Sequence, residues 1–343
     1  MTGKLLHQIA ALPARPGVRL VALSYLEDAE AARERLLRSR DAEALHDFRV
    51  ALRRLRSLLR AWRPWVDDSV KRADRHRLRE IAGATGRARD LEVQRAWLSQ
   101  AALPPDVARG AERLGALLER QQLEAERDAA RATHQFPEAA ARLRDRLAHY
   151  RETLDPHRPG ISETCGQVAA ALTAGLLSEL RADFERVRAS GDAPSAHAAR
   201  ITGKRLRYLL EPFRDDLDNG KKLMQRLRSL QDDLGGLHDL DVILGVIAAQ
   251  SATGPRDEAG VADTTLAADT SLAALASFAQ ARREEAMARL RQHWLGARGA
   301  VLFRDVAAAA DQLGAFAPPP LEIERKYLLR AVPRGRAPAV RRI

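Results

Sequence analysis

The chain has 343 residues, 45% of them apolar, enough core material for one large domain or two ordinary ones without external staples. Its one cysteine, Cys165, excludes an intrachain disulfide and a thiolate metal cluster within the chain. A formal charge of +11 makes polyanions the natural partners: nucleic acid, inorganic phosphate polymers or an anionic membrane surface.

The start lacks the apolar core of a secretory leader, its short apolar run being broken by Pro13 and Pro16, and the expected location is the cytoplasm. No stretch approaches the roughly 18 uninterrupted apolar residues of a membrane span, so no membrane insertion is expected. Alanine, leucine, arginine and glutamate dominate, and apolar residues recur at three- and four-residue spacing almost throughout. This predicts an all-α fold, with a first helix over residues 18–38.

The second predicted helix, 42–64, contains LHDFRVALRRLRSLLR from Leu45 to Arg60. Leu45, Phe48, Leu52, Leu55 and Leu59 share one face and should pack into a bundle core. His46, Arg49, Arg53, Arg56 and Arg60 follow one residue later, about 100° around the helix, as a cationic ridge about 21 Å long. Like charges at this spacing repel by roughly 0.2–0.5 kcal/mol per pair, so something should offset them. Salt bridges to neighbouring helices, or solvation with the long stems lying over the core, are the plain alternatives to an anionic ligand.

Further helices are predicted over 68–101, 105–135 and 138–153, with Pro104 and Pro105 marking one break and LDPHRPG at 154–160 dividing the helical region nearly in half. Beyond it, helices over 161–190, 194–215, 219–250, 271–296 and 300–314 are expected, with a flexible acidic loop from Ser251. HAARITGKRLRYLLE from His197 aligns without gaps with HDFRVALRRLRSLLR from His46: His197 on His46, Arg200 on Arg49, Lys204 on Arg53, and Arg205 and Arg207 on Arg54 and Arg56. Ala199 and Gly203 begin its apolar stripe, leaving room for another backbone, and Glu211 replaces Arg60 at the ridge end, narrowing one side of a binding path. A second block, LREIAGATGRARDLEV from Leu78, aligns with LRSLQDDLGGLHDLDV from Leu227. Here Arg79 matches Arg228, Arg89 matches His238, and Asp90 matches Asp239. Two blocks in the same order point to duplication. Solvation needs neither a fixed histidine nor the same register twice. The predicted architecture is therefore a tandem of pseudo-symmetric four-helix bundles whose ridges face a basic central groove.

These blocks resemble the CHAD family, the conserved histidine α-helical domain, over roughly residues 18–300. The most specific elements are LHDFRVALRRLRSLLR, GRARDLEV, KRLRYLLE and LQDDLGGLHDLDVI. The resemblance implies paired helical bundles whose basic central surface binds inorganic polyphosphate, often at polyphosphate granules, with granule-associated proteins as further partners. Carried over, the implied ligands are His46, Arg49, Arg53, Arg54 and Arg56, and their counterparts His197, Arg200, Lys204, Arg205 and Arg207. Arg60, Arg79, Arg89, Arg228 and His238 would extend the basic surface. Tyr208 is read either as a hydroxyl donor or as core. Asp90, Asp239 and Asp241 are read as orienting arginines or capping helices. The expected domain runs over 18–314, with half-repeats at about 18–153 and 161–296, followed by a basic tail at 315–343. In that tail Glu322, Glu324 and Lys326 resemble the opening strand of a CYTH triphosphate-tunnel domain, although only 14 residues follow Leu329 and a catalytic barrel is not expected.

No phosphate loop, Ser-His-Asp arrangement or HExxH spacing is present, so no catalytic residue, metal or cofactor is expected, and the module is read as noncatalytic. His46 and His197 stand beside arginines that should disfavour their protonated forms until phosphate enters. The runner-up is an enzyme of polyphosphate or triphosphate metabolism using His46 or His197 as a phosphate acceptor or base, with Mg²⁺ held by Asp90 and Asp239. Nonspecific nucleic-acid binding is the third reading, weakened by 4% aromatics and none along the first ridge.

Overall fold

Phe48, Leu52, Leu55 and Leu59 are fully buried along one side of the helix Ala42–Ala61, the stripe that their spacing predicts, while Leu45 is only half-buried. The computed structural model describes residues 9–39, 42–100, 103–149, 163–253 and 266–317. They form α1 (Ala14–Ser39), α2 (Ala42–Ala61), α3 (Arg63–Val66), α4 (Arg72–Gln100), α5 (Pro105–Ala148), α6 (Cys165–Ser190), α7 (Ala193–Leu210), α8 (Gly220–Thr253), α9 (Leu266–Trp294) and α10 (Ala297–Gly314). No β-strand occurs among the described residues, and the fold is all-α. The predicted break at 154–160 and the segment with Glu322, Glu324 and Lys326 lie outside them.

In the first half α1 packs on α2 and α4 on α5. The second half repeats the plan with α6 on α7 and α8 on α9, and α10 runs back along α6. Thus the single long helix α5 has as its counterpart two shorter ones, α9 and α10, parted at Gly296. Two apolar cores result. The larger runs through both halves and includes Phe48, Leu52, Leu180, Leu206 and Leu227. The smaller joins the far ends of α4, α5, α8 and α9 through Leu91, Leu118, Ile243 and Leu275. Gly110 of α5 lies so close to the backbone of Ser271 that a Cβ has no room, which docks the halves at this end.

The helix ends follow local chemistry. Thr164 and Gln167 form a reciprocal capping box at the start of α6, and Gly191 ends it with φ 62°, in the left-handed region. Asp192 then caps α7 by accepting from the Ser195 amide at 2.8 Å.

The predicted break between 135 and 138 does not occur: α5 continues through Pro137. Proline has no N–H, so the Thr133 carbonyl four residues earlier loses its helical donor. Arg33 of α1 replaces it, donating from Nε at 2.9 Å. A tertiary contact thus supports a helix that local propensity would interrupt. We expect Arg33→Ala to destabilise the protein by about 1–3 kcal/mol, the cost of an unsatisfied buried carbonyl. In a Pro137→Ala background the same change should cost under about 1 kcal/mol, as read from a double-mutant cycle of urea midpoints.

Candidate functional site

Between the two apolar cores the facing helices α2, α4, α7 and α8 enclose a cavity of about 370 Å³. α2 lines it with Arg49, Arg53 and Arg56, and α7 with Arg200 and Lys204. Spacing by four puts Arg49 and Arg53 on one helix face, and Arg200 and Lys204 on the other, each ridge beside its buried leucine stripe. α4 contributes Thr85, Gly86, Asp90 and Gln94, and α8 contributes His238 and Asp239. The aligned pairs Arg49 and Arg200, Arg53 and Lys204, and Asp90 and Asp239 therefore meet at one centre.

Elsewhere arginines are widely paired: Arg19 with Asp68 at 2.6 Å, Arg75 with Asp67 at 2.6 Å, and Arg283 with Asp241 at 2.5 Å. Among the described residues the five cavity cations make no hydrogen bond or ion pair, and the Nε atoms of Arg53 and Arg200 are buried without a partner. Their protonation reflects the crowding. Burial and then the Arg53 charge lower Arg49 to about 10. Burial, Arg200 and Arg53 lower Lys204 to about 8. Arg200 is lowered mainly by burial, against the opposing pull of Asp239 and Asp90. Arg56 is lowered by burial and then by Arg79 and Arg60. His238 falls to about 4 through burial, Arg200 and His197. Burial raises Asp239, with Asp90 adding to the rise and Arg200 opposing it. The two carboxylates leave the cavity with excess positive charge and unused donors, an arrangement suited to an anion.

Of the residues singled out in the sequence, the structure brings Arg49, Arg53, Arg56, Arg200, Lys204 and His238 together around the cavity. His197 is exposed beside it, its Nδ1 3.4 Å from Nδ1 of His238. His46 is exposed and does not line the cavity. Arg89 pairs with Glu92 at 2.7 Å. Arg60 and Arg79 are exposed near Arg56, and Arg228 is exposed outside the lining.

Four residues point elsewhere. Arg54 clasps Glu211 through Nε at 3.0 Å and Nη2 at 2.5 Å. Arg205 donates to both oxygens of Glu179, at 2.8 and 3.0 Å. Arg207 donates to Gln231 at 2.8 Å and lies 3.7 Å from Glu211 and 4.4 Å over the Tyr208 ring. Tyr208 itself is buried in the protein. These side chains serve packing and ion pairing, so the second ridge ends at Lys204. The room at Gly203 is taken by the Leu230 side chain rather than by another backbone. Asp241 orients Arg283, whereas Asp90 and Asp239 border the cavity itself. Gln94, whose Oε1 is buried without a partner, carries no signal in the sequence that separates it from an ordinary helical glutamine.

Among the described residues no group of three or more His, Cys, Asp or Glu side chains is arranged to hold a metal ion, and no helix is long and apolar enough to cross a membrane. The family model described as CHAD domain matches residues 21–248. The structure is similar to the crystal structure of the CHAD domain from the plant Ricinus communis, with a TM-score of 0.56 and 22% identity, covering 91% of this chain and 96% of that one. A comparison with curated proteins finds no match.

Proposed function

The chain belongs to the CHAD domain family, and from that premise we propose that its central cavity binds inorganic polyphosphate without hydrolysing it, targeting or scaffolding the protein at polyphosphate granules. CHAD domains are associated with polyphosphate binding. The observation that carries the reading for this chain is the convergence of Arg49, Arg53, Arg56, Arg200 and Lys204, unpaired, on one cavity. Phosphate oxygens satisfy such donors, and arginine's planar fork grips them at two points. No Phe, Tyr or Trp lines the cavity, so it offers no stacking surface for a nucleobase, and a chain of bare phosphates is the better-matched polyanion.

The test is competition between long-chain polyphosphate and single-stranded nucleic acid at matched phosphate concentration over a salt series. Polyphosphate should win throughout, with a slope of log affinity on log salt of about −3.5 or steeper, the five cavity cations each counting roughly 0.7 per neutralised phosphate by analogy with single-stranded nucleic acid. Equal displacement by both overturns specificity for polyphosphate. With Mg²⁺ added, the same samples should release no orthophosphate. Turnover that disappears in His46→Ala overturns the noncatalytic part.

Affinity should also fall with rising pH. Lys204 is held at about 8, against an ordinary value of 10.5. Its contribution to the stability of the free protein is therefore present above about 10.5 and lost as pH falls through about 8. An anion favours the charged form, so above pH 8 binding must take up a proton, and affinity drops by up to about tenfold per pH unit. Arg49, at about 10, joins only at higher pH, and His238, at about 4, is already neutral. The other charged groups facing Lys204 in the cavity are Arg53, Arg56, Arg200, Asp90 and Asp239. Lys204→Arg should flatten the decline between pH 8 and 9.5 in a fluorescence-anisotropy titration.

A further inference from the structure

Resting on the polyphosphate reading of the cavity, we infer that a chain longer than the cavity leaves it in one direction only, over Arg56 toward Arg60 and Arg79 of the first half. Arg60 is one helical turn beyond Arg56 on α2, and Arg79 is three residues ahead of the cavity residue Ala82 on α4. Both side chains are exposed, and neither makes an ion pair or hydrogen bond among the described residues. They continue the cavity's cations outward as a second step where phosphates beyond the first few can lie.

The corresponding route in the second half is closed by chemistry. The counterpart of Arg56, Arg207, is tied to Gln231 and lies beside Glu211. Glu211 is the counterpart of Arg60, with its charge reversed and already satisfied by Arg54. Arg54 and Arg207 on this side are engaged with Glu211 and Gln231, and Arg228, the counterpart of Arg79, is exposed outside the cavity lining without an outer cation at the position of Arg60. A polyanion emerging on this side meets a carboxylate where the other side offers a guanidinium. The cavity sets affinity for phosphates as such, and the one-sided outer step sets preference for length.

Arg79→Glu and Arg228→Glu are matched reversals, equal in charge and in repeat register, at exposed positions. Each is made in the full chain, checked by circular dichroism, and titrated with tripolyphosphate and with polyphosphate of about 100 units at physiological salt. Arg79→Glu, and equally Arg60→Glu, should weaken long-chain binding at least tenfold while changing tripolyphosphate affinity no more than about threefold. Arg228→Glu should change both by less than threefold. Equal losses in the Arg79 and Arg228 variants overturn the directional path, as does an equal loss of short and long ligands in Arg79→Glu. A parent chain that retains neither anion overturns the polyphosphate reading itself, a result separate from either of those.

Discussion

A chain carrying Arg53→Glu and Lys204→Glu together should lose long-chain polyphosphate retention at physiological salt while keeping its helical circular dichroism. Each substitution removes an unpaired cation from the cavity and adds a carboxylate beside Asp90 and Asp239. Charge-assisted hydrogen bonds contribute about 1.5–3 kcal/mol each, so losing two weakens binding by roughly 10²–10⁴-fold before the added repulsion is counted. The fold should survive because neither side chain supports it: Arg53 and Lys204 crowd Arg200, and Lys204 is held well below its ordinary value. Reversing them relieves like-charge contact, so the melting temperature of the free protein should hold or rise, a stability gained at the expense of function. Retained binding would place the ligand elsewhere, and an unfolded variant would show the ridges to be structural.

The second large effect runs the other way. Arg54→Ala should destabilise the protein by about 3 kcal/mol, the usual cost of breaking a largely buried ion pair from one side, and lower its melting temperature by several degrees. Glu211, with a side chain 16% exposed, would keep only Arg207 at 3.7 Å. Polyphosphate affinity of the folded fraction should be unchanged, because Arg54 lies off the cavity lining. Pairing Arg54→Met with Glu211→Gln should recover part of the loss, since the stranded Glu211 charge is gone while Arg207 keeps its hydrogen bond to Gln231. Loss of affinity without loss of stability would return Arg54 to the binding surface.

The contrast between Arg53 and Arg54 marks where the sequence stops being legible. The leucine stripe of α2 and the repeated spacing from His46 and His197 identify the helix faces, and through them Arg49, Arg53, Arg200 and Lys204. The repeat also carries Arg54 to Arg205, but both are held by carboxylates, Glu211 and Glu179, that lie on other elements. Glu179, which holds Arg205, stands 151 residues after Asp28, whose charge lies near Arg54. Self-similarity alone cannot separate an ion pair from a site, because the acids that commit an arginine lie on other helices. The same reason hid the continuity of α5, where Pro137 reads as a break until Arg33 of α1 reaches Thr133. His238 is named from the sequence only as the counterpart of Arg89; that it is strongly perturbed beside Arg200 follows from how α7 meets α8.

The reversal from Arg60 to Glu211 has a consequence for why the two halves sit in one chain. Two identical subunits meeting around such a cavity must carry every substitution at both mouths, so a glutamate introduced at one would abolish the outer cation at the other. Covalent linkage removes that constraint: each mouth becomes free to change alone. One arm can then be traded for an anchor that holds Arg54 and Arg207, while its twin stays open to the ligand.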